Sequence, residues 1–152
     1  MFRRSAAILV CLFTVVLSAR AGNDLGVTAQ GKAAHSHDES STDGWTLPAD
    51  AAQKKSPLTV DAKVLAQGKS IFRNKCQKCH GSTGRGDGPD ADPEHREGMD
   101  LTRASRAEKN PEGVMFYKVS NGRKKPKMQA FKDELTPDQI WAVVAYAQSL
   151  RK

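Results

Sequence analysis

Apolar side chains recur at helical spacing in three segments of the second half of the chain. Each segment begins with a helix-capping sequence: Asp61, then Asn110-Pro111-Glu112, then Thr136-Pro137-Asp138-Gln139. The apolar positions that follow are Val64, Leu65, Ile71 and Phe72, then Val114 to Val119, then Ile140, Val143, Val144, Ala147 and Leu150. The pattern predicts an all-α domain of three main helices joined by long loops. Loops of this length are rare in a small domain unless a further group organises them.

The first 21 residues have the pattern of a secretory signal peptide. Two arginines precede an apolar run from Ala6 to Leu17, and the small residues Ala19 and Ala21 occupy the cleavage positions. The run is shorter than the roughly 20 residues that a membrane-spanning helix needs. We therefore expect cleavage and export, with a periplasmic location. An uncleaved membrane anchor is the alternative.

Residues 22–57 form a predicted flexible leader between the signal peptide (1–21) and the folded domain (58–152). They contain few large apolar side chains, so they cannot bury enough surface to fold alone. Trp45 and Leu47 are the side chains that could attach this segment to the domain surface. His35 and His37 stand in an acidic tract that is typical of a solvated segment, although alternating histidines can share a metal ion.

The charge distribution makes the folded domain basic. The formal net charge of the chain is +7. Residues 1–21 hold three arginines and no acid, so the chain without them carries +4. Residues 22–57 carry three lysines and five acids, which leaves +6 on residues 58–152. A basic domain is attracted to an acidic protein face, and nucleic acid is not an expected partner of an exported protein.

Two cysteines and a histidine stand together in Cys76-Gln77-Lys78-Cys79-His80, which is the C-x-x-C-H signature of haem c attachment. At a helix end, cysteines three residues apart lie on one side, where their sulfurs can bond the two vinyl groups of one porphyrin. A disulfide or thioredoxin-like pair is the alternative for C-x-x-C, but it belongs to a βαβ context that the pattern lacks. A zinc site would need a second Cys or His pair at matched spacing. The third cysteine, Cys11, lies within the predicted signal peptide.

Further motifs accompany this signature: Gly68-Lys69, Ile71-Phe72, Gly84-x-Gly86-Asp87-Gly88-Pro89, Asn121-Gly122, Met128-Gln129-Ala130-Phe131 and the final helix with Tyr146. With these residues the chain resembles the class I monohaem bacterial cytochromes c, from about residue 66 to residue 152. The resemblance covers neither the leader nor the loop 90–110. It implies the cytochrome c fold, in which helices and long loops surround one covalently bound haem c.

The resemblance also implies the iron ligands. Cys76 and Cys79 would bind the haem, and His80 and Met128 would ligate its iron. Other candidates for the second axial ligand are Met99, Met115 and His95. Gln129 stands where the family usually has a proline directly after the methionine.

Two further contacts follow from the resemblance. The backbone carbonyl of Pro89 would accept a hydrogen bond from the second ring nitrogen of His80, which orients a ligating imidazole. Gly68 and Phe72 on the first helix would meet Tyr146 on the last.

The resulting interpretation is an exported carrier of single electrons between redox proteins, with no bond chemistry of its own. Seven basic residues flank the two ligand-bearing segments, and we expect them to dock an acidic face of the donor and acceptor: Lys75, Lys78, Arg123, Lys124, Lys125, Lys127 and Lys132. One alternative is a haem subunit fixed in a membrane respiratory or dehydrogenase complex. Another is a haem enzyme or gas sensor with an open sixth site.

Overall fold

The computed structural model describes residues 44–152. Five α-helices follow one another in this part of the chain: α1 (Ala62–Lys75), α2 (Gln77–His80), α3 (Arg96–Met99), α4 (Glu112–Asn121) and α5 (Pro137–Ser149). Short 3-10 helices occur at Pro93–His95 and Ala104–Arg106. Between residues 44 and 152 there is no strand, and only isolated bridges join Arg85 to Asp100 and Arg123 to Met128. The predicted all-α fold is confirmed, and α1, α4 and α5 are the three main helices.

The predicted signal peptide lies outside the described residues, as do residues 22–43 of the leader with His35 and His37. No helix within residues 44–152 is long and apolar enough to cross a membrane.

Helix α1 leads directly into the C-x-x-C-H motif, which begins at Cys76. It begins because the side chain of Asp61 accepts a hydrogen bond of 2.8 Å from the backbone N–H of Val64, which satisfies one of the unpaired donors of the first turn. It ends at Cys76, whose N–H still donates to the carbonyl oxygen of Phe72 at 2.9 Å. The first cysteine therefore occupies the C-terminal cap of a helix, so α1 fixes its backbone.

Helices α1 and α5 cross at a glycine. A Cβ atom on Gly68 would overlap the backbone carbonyl of Ala142, so only glycine permits this approach. One turn further along α1, the ring of Phe72 meets Tyr146 edge-on, with 5.4 Å between ring centroids and 61° between ring planes. Such a pair contributes roughly 0.5–1.5 kcal/mol beyond its buried area. The predicted contact between the first and last helices is confirmed.

Helix α5 forms the centre of the core. Thr136 and Gln139 make a reciprocal capping box, with Gln139 N–H donating to the Thr136 hydroxyl at 3.3 Å and Thr136 N–H donating to the Gln139 side chain at 2.9 Å. Ile140 and Val144 are only 2% and 1% exposed and pack with Met115 of α4. Helix α5 therefore holds α1 and α4 in place, and these two helices lead into the segments that carry the candidate ligands.

Helix α4 ends where the chain turns towards Met128. Gly122 follows the helix with a φ of 58°, in the left-handed region that favours glycine. A Cβ atom there would overlap the carbonyl oxygen of Met128. The Asn121-Gly122 pair therefore stops the helix and admits the Met128 backbone beside it.

Candidate haem site

The two cysteines and the histidine of the signature lie within one helical turn. Cys76 caps α1, and its carbonyl oxygen accepts hydrogen bonds from Cys79 N–H at 3.2 Å and from His80 N–H at 3.0 Å. Both cysteines are half-buried free thiols. This turn places two sulfurs and an imidazole on one short stretch of backbone, as the sequence predicts.

Burial affects the first thiol of the signature. It raises the pKa of the Cys76 thiol to about 12, and the neighbouring Cys79 adds to the rise. The thioredoxin-like alternative lacks its βαβ unit, because residues 44–152 contain no strand.

His80 is oriented by a backbone carbonyl that the resemblance does not indicate. Its Nδ1–H donates to the carbonyl oxygen of Met99 at 2.7 Å. Burial lowers the pKa of His80, while the hydrogen bond to Met99 opposes that shift. The imidazole is thus held neutral and in one tautomer, with Nε2 as its lone-pair nitrogen. The expectation that Pro89 supplies this carbonyl is wrong, because the 84–101 loop brings Met99 to the ring instead.

The loop reaches His80 because it folds back on itself. Leu101 N–H donates to the carbonyl oxygen of Gly84 at 2.7 Å, and Gly86 N–H donates to the carbonyl oxygen of His80 at 2.8 Å. Gly86 has a φ of 73°, and a Cβ atom there would lie 2.7 Å from the carbonyl oxygen of Arg96 in α3. Glycine at this position therefore lets α3 approach closely enough for Met99 to meet the imidazole.

Asp100 fixes the end of α3 next to Met99. Its carboxylate accepts hydrogen bonds from Thr102 N–H at 2.9 Å and from the Thr102 hydroxyl at 2.7 Å, and Arg103 Nε lies 3.4 Å away. Burial alone would raise the pKa of Asp100, but these hydrogen bonds and the Arg103 charge outweigh it and lower the pKa. The carboxylate is therefore ionised at neutral pH and holds the turn after Met99.

Met128 lies on a different segment, in the connection between α4 and α5. Its backbone pairs with Arg123 in both directions, with N–H to oxygen distances of 2.9 Å each way. Arg123 Nε also donates to the carbonyl oxygen of Pro126 at 2.9 Å, which closes the turn between the two residues. The Met128 side chain is half-buried. Its role as the second iron ligand stays a prediction.

The other candidates for that ligand have different surroundings. Met115 is 8% exposed within the core, and its sulfur accepts a hydrogen bond from Arg151 Nη2 at 3.1 Å. His95 lies on an exposed 3-10 helix, where its Nδ1–H donates to Asp92 at 2.7 Å. Met99 contributes its backbone carbonyl to His80. Met115 and His95 therefore have side-chain partners, whereas Met99 is engaged through its backbone carbonyl.

An ion-pair bridge connects the cysteine-bearing helix to the Met128 segment. Lys75, directly before Cys76, lies 2.6 Å from the carboxylate of Glu134. The same carboxylate accepts a hydrogen bond from the side chain of Gln129. The hydrogen bond from Lys75 is the main cause of a lowered pKa of Glu134. Gln129, which departs from the family pattern, thus anchors the chain directly after Met128 to Glu134.

These residues fit a covalently bound haem. Two free thiols are available for thioether bonds, and the adjacent imidazole has its Nδ1 engaged, which leaves Nε2 for iron. The ring of Phe72 supplies an apolar neighbour, with its centroid 6.4 Å from that of His80. The donor set does not suit zinc, because no group of His, Cys, Asp and Glu side chains within residues 44–152 gathers around Cys76 and Cys79.

No curated protein matches the chain, whereas a solved structure of similar fold is found. Among solved structures, the chain is similar to a chain of the reducing HAO-like protein complex of Kuenenia stuttgartiensis, with a TM-score of 0.51 and 23% identity over 68% of this chain and 55% of that chain. It is also similar to the c-type cytochrome KustC0563, with a TM-score of 0.46 and 23% identity over 56% of this chain and 98% of that chain.

The sequence of the chain also matches a protein family. The profile of the family described as Cytochrome c matches residues 65–151, which is more than half of the chain. The matched range contains the attachment turn, the Met99 carbonyl that orients His80, and Met128. The chain therefore belongs to the cytochrome c family.

Proposed function

We propose that this chain is an exported cytochrome c that carries one haem and passes single electrons between redox proteins. The observation that carries the proposal is the turn Cys76–His80, in which two thiols precede an imidazole already oriented by Met99. One C-x-x-C-H motif in the whole sequence supports a single haem. The pattern of residues 1–21 supports export.

Each site residue has a distinct task in this proposal. A bound haem would supply the Fe(II)/Fe(III) couple. Cys76 and Cys79 would hold it covalently, and His80 would provide its neutral imidazole nitrogen to the iron. Met128 would provide a thioether, a ligand that favours the ferrous state and raises the potential. Because His80 and Met128 would both ligate the iron, small molecules would bind it only poorly, so we propose a carrier and not an enzyme.

The partner is proposed to be a redox protein with an acidic docking face. Six of the seven flanking basic residues are exposed: Lys75, Lys78, Lys124, Lys125, Lys127 and Lys132. Lys75 is paired with Glu134, and Arg123 contacts Pro126, so these two contribute less free charge. The exposed group would steer association, and its effect would weaken as salt is added.

A fixed subunit of a larger redox complex is the second candidate. It is supported by the similar solved chain that belongs to a protein complex. Purification distinguishes the two functions. A carrier is recovered as a monomer in the exported fraction, whereas a subunit co-purifies with other chains in fixed ratio.

The test of the proposed function is intact-mass analysis of the protein matured in a host that attaches haem c. We expect a chain that begins after Ala21 and carries the mass of one haem. Replacement of both cysteines, Cys76→Ala with Cys79→Ala, should abolish the covalent mass. Attachment of no haem to the native chain, or of more than one, would refute the proposal.

A further inference from the structure

Residues 44–55 lie along α4 in the opposite direction to the helix, and we call them the strap. Lys55 is 3.6 Å from Glu112 at the start of α4. At the other end of the strap, a Cβ atom on Gly44 would lie 3.5 Å from the carbonyl oxygen of Lys125, beyond the end of α4. The strap therefore runs from the first turn of α4 to the segment that carries Met128.

The strap is anchored at the start of α4. Ala51 is 4% exposed, and its carbonyl oxygen lies so close to Gly113 that a Cβ atom there would overlap it. Lys54 Nζ lies 4.5 Å from the ring centroid of Phe116, which stacks on Trp141 at 4.2 Å. The close approach at Gly113 and the stacked rings fix this end of the strap against the core.

Near residue 44, the strap places Trp45 beside two cations. Lys118 Nζ lies 5.1 Å from the Trp45 ring, and the guanidinium carbon of Arg123 lies 4.7 Å from it. Both distances are within the range of cation–π attraction, and tryptophan is the strongest of the aromatic partners. Trp45 is thereby connected to the residue that pairs with Met128.

Arg123 links the strap to the Met128 segment, residues 123–128. Its backbone exchanges two hydrogen bonds of 2.9 Å with Met128, and its Nε holds the carbonyl oxygen of Pro126. Its guanidinium is therefore constrained by Trp45 on one side and by the turn that precedes Met128 on the other. A displacement of Arg123 would move the Met128 backbone directly.

We propose that Trp45 is a positioning residue that holds the Met128 segment in place through Arg123. This inference rests on the proposed ligation of iron by Met128. Trp45 precedes residues 65–151, the range that matches the family. The strap therefore adds a contact from outside that range, which positions the proposed iron ligand Met128. Loss of the Trp45 contact increases the fraction of molecules in which the Met128 segment is displaced.

The experiment compares the full matured holoprotein with three strap variants. Trp45→Ala removes the contact with Arg123, and Trp45→Phe keeps an aromatic face. Lys54→Ala is the matched control, because it removes the cation–π contact at the anchored end of the strap. The readouts are the ferric methionine–iron absorption band and the apparent dissociation constant of the ferrous form for carbon monoxide, which must displace the axial ligand. Thermal unfolding verifies that each variant is folded.

Trp45→Ala should bind carbon monoxide about three- to tenfold more tightly, because the apparent affinity scales with the fraction of molecules whose binding site is open. Its methionine–iron band should be weaker, while Trp45→Phe and Lys54→Ala stay close to the native protein. An unchanged Trp45→Ala, or equal effects of Trp45→Ala and Lys54→Ala, would overturn the positioning role. A native protein without the methionine–iron band would instead refute Met128 ligation itself.

Discussion

The Nδ1 atom of His80 lies 2.7 Å from the backbone carbonyl oxygen of Met99, 19 residues further along the chain. Such an acceptor fixes the ring plane of a ligating imidazole and makes its other nitrogen a better electron donor. A more basic ligand stabilises ferric iron. The 84–101 loop is therefore part of the electronic environment of the site.

Displacement of Met99 should raise the reduction potential. Gly86→Ala places a Cβ atom 2.7 Å from the carbonyl oxygen of Arg96 and 3.1 Å from the carbonyl carbon of Met99, so α3 must shift. Loss of a hydrogen bond of about 0.5–1.5 kcal/mol corresponds to a rise of about 20–60 mV for a one-electron couple. Redox titration of the native and Gly86→Ala holoproteins measures this rise in reduction potential.

Two controls separate the backbone effect from side-chain effects. Met99→Leu keeps the carbonyl, and Pro89→Ala changes the residue that the family resemblance indicates, so both should leave the potential unchanged. A shift in Pro89→Ala without one in Gly86→Ala would contradict the assignment of Met99.

The crossing of α1 and α5 should not tolerate a larger residue at Gly68. Gly68→Ala places a methyl group against the backbone carbonyl of Ala142, and such overpacking costs about 1–3 kcal/mol. Gly98→Ala is the matched control, because a Cβ atom there would meet nothing within 4 Å. Chemical denaturation of the two holoproteins measures both free energies of unfolding. Equal stability of the two variants would contradict the described crossing.

The bridge between Lys75, Glu134 and Gln129 should make stability depend on pH in the acid range. The folded state lowers the pKa of Glu134, so the folded state favours its ionised form. This contribution is complete above the ordinary glutamate pKa and is lost as the pH falls through the lowered value. Glu134→Gln should therefore unfold at a lower temperature than the native protein near neutral pH, and this difference should shrink in acid.

Asp133→Asn is the control for this pH dependence, because it removes an adjacent exposed carboxylate. Its melting temperature should follow that of the native protein across the same range. A Glu134→Gln deficit that does not shrink as the pH is lowered would show that the bridge acts by packing instead of charge.

The exposed lysines around the Met128 segment should govern association with the redox partner. Replacement of Lys124, Lys125 and Lys127 by glutamine should slow electron transfer about tenfold at low salt and flatten its salt dependence. Stopped-flow kinetics with an acidic redox protein measures the rate. The control replaces Lys63, Lys109 and Lys152, which are exposed and lie outside the ligand-bearing segments. Equal losses of electron-transfer rate in both triple variants would indicate that net charge alone, and not the position of the lysines, governs association.

The main helices and the attachment turn could be predicted from sequence because their signals are local. The side chains of Asp61 and Thr136 cap helices by accepting hydrogen bonds from backbone N–H groups three residues further on, and the Cys76–His80 spacing is the geometry of one turn. The acceptor for His80 could not be predicted in this way. It depends on how a loop without periodicity folds onto Gly84 and Gly86, which is a tertiary effect.

The strap shows a second limit of sequence reasoning. Trp45 indicates that part of the leader contacts the domain. The composition of the leader does not indicate which surface of the domain it contacts. The position of the strap along α4 is set by the absence of a side chain at Gly113, and by the contacts of Lys118 and Arg123 with the Trp45 ring. These partners lie more than sixty residues away in sequence, where no local pattern connects them.

The most direct test of this account is the absorption spectrum of the matured protein, oxidised and reduced, with and without carbon monoxide, beside that of Met128→Ala. We expect the native protein to be low-spin, to show the weak ferric methionine–iron band, and to bind carbon monoxide only weakly. Met128→Ala should lose the band and bind carbon monoxide readily. A native protein that is high-spin, or that binds carbon monoxide as readily as Met128→Ala, would contradict ligation by His80 and Met128, and would favour an enzyme or gas sensor with an open sixth site.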